Sequence, residues 1–346
     1  MKKIVSFCLF LCVGVCGVFA GGSSENKGTS QDGYVIKMGY SPGNMQPAES
    51  MEIMYGDSFK RNVEELTGGK IRVEIYASDA LGTANDTLGA ISVGSVEMGL
   101  FEIALFSTYL KDTMLFNLPG KFRSRDEATR AFNNEWAFRN VFDKLETNSK
   151  LKVIGGVCKG FRSFTANSGL KLPQDIKGLS IRVMDSAMYI RMVESLSANP
   201  VVIAGSEMYT AMQNGVVDGH ENTILSVWQD KTYEVQKFMV MDQHIPSIMV
   251  WVMNTDFYNK LPSELQAAII EANKRASEDS RKVVEDLNNM LMNNLRAAGL
   301  AIYEPNSREQ QMWHDVYSGP CETLARSQIG NEPVDNFLNF LRQFRN

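Results

Sequence analysis

The sequence is poor in the side chains that carry metal or covalent chemistry. Five cysteines and three histidines stand among 346 residues. Three of the cysteines, Cys8, Cys12 and Cys16, fall within the first twenty residues. Cys158 and Cys321 remain, far apart in the chain. A disulfide between them is open, and two small buried residues is the simpler reading. His220, His244 and His314 lack metal-ligand spacing, and no CxxC, HExxH, GxSxG or phosphate-loop pattern occurs. "GGVCKG" around Cys158 reads as the end of a buried strand rather than as a nucleophile loop. Without a nucleophile–base set the chain does not read as an enzyme, and nothing in it asks for a metal or a cofactor.

A basic excess is missing too. Thirty-five Lys and Arg face 40 Asp and Glu, a net charge of −5, which argues against nucleic acid as a partner. Beyond the N-terminus no stretch is apolar enough to span a membrane. The N-terminus itself reads "MKK", then "IVSFCLFLCVGVCGV", then "VFA". That order predicts a secretory signal over residues 1–20, cleaved after Ala20. Cleavage removes Lys2 and Lys3 and leaves about −7. "VGVC" offers lipidation at Cys16 as a second route. Both routes place the mature chain outside the cytoplasm, in the periplasm. Residues 21–33 are rich in Gly, Ser, Asn and Lys and read as a flexible tether.

What is present is an ordinary globular mixture, 44% hydrophobic and 22% charged, long enough for two domains. Strand and helix patterns alternate. "YVIKMGYS", "KIRVEIYAS", "VEMGLFEIAL", "LKVIGGVC", "SIRVM", "NPVVIA" and "VVDGHEN" read as extended. "AESMEIMYGDSFKRNVEELTGG", "ANDTLGAISVGS", "SAMYIRMVESLS" and "SEMYTAMQNG" read as helical. A turn-rich stretch follows Cys158 as far as "PQDIKGL". The alternation predicts an α/β fold with largely parallel sheets. From Pro262 and Ser263 to Ala298 no glycine or proline interrupts a helical pattern. At 1.5 Å per residue that helix is about 54 Å long, enough to run along two domains.

Arg182 sits between Ile181 and Val183 in a strand that looks buried, and Arg162 follows the strand ending near Cys158. A buried arginine needs an anion. Two arginines on neighbouring segments suit a carboxylate, because the planar guanidinium makes two parallel bonds to its oxygens. An internal salt bridge, with Glu207 or Asp218 as partner, explains them equally well.

The stretch "KGLSIRVMDSAMY…LSANPVVIAGSEMYTAMQNGVVDGHEN…YEVQKF" resembles the core of DctP-type solute-binding proteins of tripartite ATP-independent periplasmic (TRAP) transporters. "GGKIRVEIYASDALG" and "LPSELQAAIIEA" resemble the family's early strand and the start of its long helix. The resemblance runs from about residue 34 to about residue 325. It implies two α/β domains with a ligand cleft between them and a long helix spanning both. It implies domain I as residues 34–158 plus about 247–285, and domain II as 159–246 plus about 286–346. It implies that Arg182 binds a small carboxylate ligand, with support from Arg162, Asn222 and Glu102. The implied partners are the small and large TRAP membrane subunits, with a periplasmic helical-repeat protein as an accessory in some relatives.

Departures from the family pattern bear on the ligand. Gly205 stands where many relatives carry an aromatic ring, which opens room. Met184 stands where proline is frequent. Asp185 can accept a hydrogen bond from a hydroxyl or amino group but repels a second carboxylate. Met188, Met249, Trp251 and Met253 add apolar surface nearby, and Trp228 and Tyr209 are further candidates to line the cleft. These features predict a monocarboxylate with a bulky or apolar body. A sugar acid is the alternative ligand, and a non-transport periplasmic or surface structural protein is the alternative role.

Overall fold

The computed structural model describes residues 33–41 and 45–345. The expected signal, with Cys16, and nearly all of the expected tether lie outside the described residues. Nine strands form one mixed sheet: β1 (Tyr34–Gly39), β2 (Ile71–Tyr76), β3 (Met98–Glu102), β4 (Leu151–Ala166), β5 (Ser180–Val183), β6 (Asn199–Val202), β7 (Gly219–Asn222), β8 (Phe238–Asn254) and β9 (Ala301–Tyr303). Their order is β2-β1-β3-β8-β4-β7-β5-β6, with β9 beside β8.

Pairing is parallel in the outer parts of the sheet and antiparallel in its centre. β1 runs parallel to β2 and β3, and β5 runs parallel to β6 and β7. Between them β3/β8, β8/β4 and β4/β7 are antiparallel. The expectation of largely parallel sheets therefore holds only toward the edges. β4 and β8 are responsible, with 16 and 17 residues, and their register runs from Leu151↔Asn254 to Ala166↔Phe238. The late part of β8 lies between β3 and the early part of β4. Residues 163–166 lie next to β7. This pair carries the sheet from one half of the protein to the other.

Both crossing strands exceed the segments that the pattern suggested. β4 continues through "GFRSFTA", where a turn-rich stretch was expected. Its glycines serve close packing rather than ending the strand. A Cβ at Gly156 would stand 2.7 Å from the Met249 carbonyl oxygen and 2.7 Å from the Phe132 ring. Register shifts at Val153/Gly155, Cys158/Gly160 and Arg162/Phe164 absorb the bends. "VEMGLFEIAL" is extended only over β3 and then coils into 3-10 turns at Ile103–Thr108.

Side chains alternate between two helix-covered faces, as a period of two requires. Met249, Trp251 and Met253 join Tyr55, Phe59 and the long helix on one face. Val250 and Val252 join Phe116, Phe132, Trp313 and Phe337 on the other. The long helix spans Ser263–Ala297, 35 residues, in agreement with its expected length. Buried Ile269, Ala272, Ala276, Val284, Leu287, Leu291 and Leu295 mark its inner stripe. Asn273 bonds to Tyr55 and to the Ile154 carbonyl, and Asn288 bonds to the Lys159 carbonyl. The helix thus follows β4 toward the crossing. Cys158 and Cys321 are both buried free thiols.

Candidate ligand-binding site

A cleft of about 380 Å³ opens where β3, β4, β5 and β7 approach one another. A larger and shallower depression, about 810 Å³, runs along the free edge of β2 beside Lys60, Glu64 and Arg72. No charged residue lining that depression is buried, so the chemistry belongs to the smaller cleft.

Arg182 is 3% exposed and comes from β5, flanked by fully buried Ile181 and Val183. Parallel pairing sets it across from Val201 and His220. Its Nε donates to the Ile203 carbonyl at 2.8 Å. Among the described residues its two terminal nitrogens have no hydrogen-bond partner, and no carboxylate lies within salt-bridge distance. Burial lowers its pKa to about 10, with Glu221 opposing and Arg162 adding to the effect. It still carries its charge at neutral pH.

Arg162, 1% exposed on β4, is different. Its Nε and Nη2 grip both carboxylate oxygens of Glu221, and Nη2 also donates to the Glu221 carbonyl at 2.7 Å. Nη1 lies 3.4 Å from Glu102. The internal partner is therefore Glu221, supplied by β7, not Glu207 or Asp218. Glu207 is exposed, and Asp218 accepts the Ser180 amide at 2.8 Å. Burial alone would lower the Arg162 pKa, but Glu221, with Tyr189 and Glu102, holds it above its ordinary value. Burial likewise pushes the Glu221 carboxyl up, yet Arg162 and His244 pull it down to about 2.

The Arg162–Glu221 pair belongs to a chain of alternating charges. Glu52 meets Lys159 at 3.2 Å, Lys159 meets Glu102 at 3.6 Å, and Glu102 meets Arg162. His244 bridges Glu221 at 3.2 Å and Asp242 at 2.9 Å, and Tyr317 donates to Asp242. Burial disfavours the His244 imidazolium, but Asp242 and Glu221 raise its pKa above the usual histidine value.

All seven residues singled out from the sequence line this cleft: Arg182, Arg162, Asn222, Glu102, Asp185, Gly205 and Met184. Asn222 Oδ1 accepts the Thr223 amide at 3.0 Å. Gly205 leaves space beside Arg182, since a Cβ there would stand 4.0 Å from Nη2. Of the other methionines and aromatics considered, Met249 lines the cleft, whereas Met188, Met253 and Trp251 are fully buried core. Trp228 stacks on Tyr233, Tyr209 bonds to Glu234, and neither lines the cleft.

Sequence reasoning passed over Lys159, Glu52 and Asp230, which also line it. Lys159 carried the same signal as Arg182, a cation inside a buried strand, but the strand itself was cut short in the reading. Asp230 is exposed at the cleft. Burial, partly offset by Lys159, pushes its carboxyl up to about 6, and its solvent exposure screens that effect.

Comparison with known proteins places this geometry. The profile of Bacterial extracellular solute-binding protein, family 7 (DctP) matches residues 43–323. The chain belongs to this family, whose members serve TRAP transporters and are solute-binding proteins, not enzymes. The C4-dicarboxylate-binding periplasmic protein DctP of Rhodobacter capsulatus is 28% identical over 80% of this chain and 83% of its own. A TRAP periplasmic solute-binding protein from Shewanella oneidensis with bound succinate is 25% identical and aligns with a TM-score of 0.82 over 89% of this chain and 99% of its own. The sugar acid binding protein DctPAm of Advenella mimigardefordensis, in complex with galactonate, has the same two-domain fold. It is 22% identical, with a TM-score of 0.84 over 90% and 99% of the two chains.

Proposed function

We propose that the protein captures a small monocarboxylate with a bulky or apolar body and delivers it to a TRAP-type membrane transporter. One observation carries this reading: Arg182 is a buried cation on the cleft wall whose terminal nitrogens lack a partner among the described residues. A charge in that position is costly unless an anion meets it, and Arg162 is already satisfied by Glu221. Leu100, Phe101, Leu105, Met184, Met208 and Met249 supply apolar surface for the rest of the solute. Ser41, Thr83, Asn85 and Ser226 line the same cleft and favour a sugar acid as the second reading.

The crossing strands provide the mechanism. Residues 34–158 with about 247–285 form one lobe, and residues 159–246 with about 286–346 form the other. In the open cleft water solvates Arg182. A carboxylate replaces that water, and closure of the lobes dries the pair and strengthens it. A solute that touches both lobes binds the closed form better and shifts the population toward it. The membrane subunits then recognise the closed form. Export by the N-terminal signal puts this cycle in the periplasm.

Native mass spectrometry of protein purified without denaturation tests the reading. Wild type is expected to carry a small carboxylate that Arg182→Met, folded to the same extent, does not. Truncating one side of a buried charge pair costs about 2–5 kcal/mol, so affinity is expected to fall by roughly 30-fold or more. Equal affinity in the two proteins would sink the assignment.

A further inference from the structure

Eight charged side chains line the cleft, and half of them are already matched. Lys159 has Glu52 and Glu102 within salt-bridge distance, and Arg162 has Glu102 and Glu221. What is left is unequal. Arg182 is the one cleft cation without a carboxylate, among the described residues. Asp79, Asp185 and Asp230 are three cleft carboxylates with neither a cation nor a hydrogen-bond donor on their side chains, again among the described residues. Glu102 adds a fourth acceptor, because its Oε2 is buried and has no partner.

This imbalance restricts the solute further. A carboxylate on Arg182 uses the cleft's free cation. A second carboxylate would find no cation left and three anions in its place. Neutral apolar groups would leave those anions to repel one another as closure removes water and the local dielectric falls. A hydroxyl would donate a hydrogen bond but offset no charge. A positive group does both. Asp185 lies three residues beyond Arg182 in the chain, and Asp230 lies within the electrostatic reach of Arg182, so one small molecule can meet a cation and an anion together.

We propose that the solute is a zwitterion, whose carboxylate meets Arg182 and whose amine or quaternary ammonium group meets Asp230 and Asp185. This inference rests on the carboxylate-binding reading above and goes beyond it. It sets the cleft apart from that of the Shewanella relative with bound succinate, a solute with two carboxylates and no cation.

A library of carboxylates in matched sets separates the two ideas. Leucine is compared with 4-methylpentanoate, 2-isobutylsuccinate and 2-hydroxy-4-methylpentanoate, and glycine betaine with 3,3-dimethylbutanoate. Thermal shift selects the sets that bind, and calorimetry measures them at pH 7.5 on the full folded protein. Wild type is expected to prefer the zwitterion over the isostere that lacks its positive group by about tenfold or more, with the dicarboxylate weakest. Asp230→Asn is expected to erase most of that preference while the deaminated acid still binds, and Asp185→Asn to reduce it. Isosteres of equal affinity, or a hydroxy acid or dicarboxylate that binds tightest, would overturn the zwitterion and leave the carboxylate reading intact. Silence across every carboxylate would overturn both.

Discussion

Arg162 and Arg182 invite comparison. Both are buried arginines, on the two strands that flank β7, both line one cleft, and both are read from the same kind of local pattern. Arg162 is surrounded by carboxylates of the protein, whereas Arg182 has one neutral carbonyl bond and two idle nitrogens. A buried charge that the protein has matched reports on how the lobes are held together. A buried charge that it has not matched reports on what comes from outside. The largest expected effect breaks the matched one. Arg162→Ala strands Glu221 without its main partner and is expected to cost about 3–5 kcal/mol of stability. Urea unfolding of ligand-free protein measures it. A loss below about 1 kcal/mol would show that the charge chain is not structural, and the contrast between the two arginines would collapse.

The next effect sharpens the comparison through pH. Glu221 is depressed to about 2 from an ordinary 4.5, so it contributes stability that is present above 4.5 and lost as pH falls toward 2. His244 is raised from 6.5, so its contribution is full below 6.5 and is lost as pH rises through the raised value. Other groups titrate in this range, among them His220, which burial lowers to about 3. The difference between wild type and Glu221→Gln isolates the pair. That stability gap is expected to be on the order of 3 kcal/mol and widest between pH 4.5 and 6.5. It is expected to close at pH 2 to 3 and to narrow in alkali as His244 loses its proton. Unfolding curves at pH 3, 5.5 and 9 would show this, and a gap of constant size would mean that Glu221 acts through packing rather than charge.

The difference between the arginines was only half legible in the sequence. That each was a cation on or beside an apolar strand could be read directly, whereas the cleft they share followed only from the family resemblance. The seven residues chosen from these arginines and from the resemblance line one cavity. The partner of Arg162 could not be read. Glu221 is far from Arg162 in the chain, and the two meet because β4 and β7 pair with Ser163 opposite Asn222 and Phe164 opposite Glu221. Register of that kind is set by strand length, and the glycines of "GGVCKGF" made β4 look as if it ended early. The same misreading hid Lys159 and its link to Glu52. The long helix was readable to within a residue or two, since it needs only the absence of breakers and a regular apolar stripe.

A smaller effect concerns the space beside Arg182. Gly205 has an ordinary backbone conformation, so a larger side chain strains nothing locally. Its Cβ position points into the cleft next to Nη2. Gly205→Phe is expected to fold normally and to weaken a bulky solute by about tenfold, a little over 1 kcal/mol, while acetate-sized acids are spared. Calorimetry with long and short acids would separate the two. Equal loss for both would place the ring over the guanidinium itself and not in the room kept for the solute's body.

The smallest effect is the most direct test of the unmatched arginine. Arg182→Met keeps an unbranched, flexible though shorter side chain and removes the charge. Without ligand it loses one hydrogen bond to the Ile203 carbonyl, a term of about 1 kcal/mol. It also removes a charge whose burial costs free energy, strongly enough that its own pKa falls to about 10. The two changes oppose each other, so the ligand-free stability is expected to shift by less than about 1 kcal/mol, in contrast to Arg162→Ala. The ligand-bound protein should behave otherwise, because a solute that binds only the folded state adds stability in proportion to the logarithm of its concentration over its dissociation constant. Wild type is therefore expected to gain thermal stability when its solute is added, and Arg182→Met to gain little. If Arg182→Met destabilised the empty protein as much as Arg162→Ala does, Arg182 would be part of the framework after all. Its counter-charge would then have to be sought within the protein.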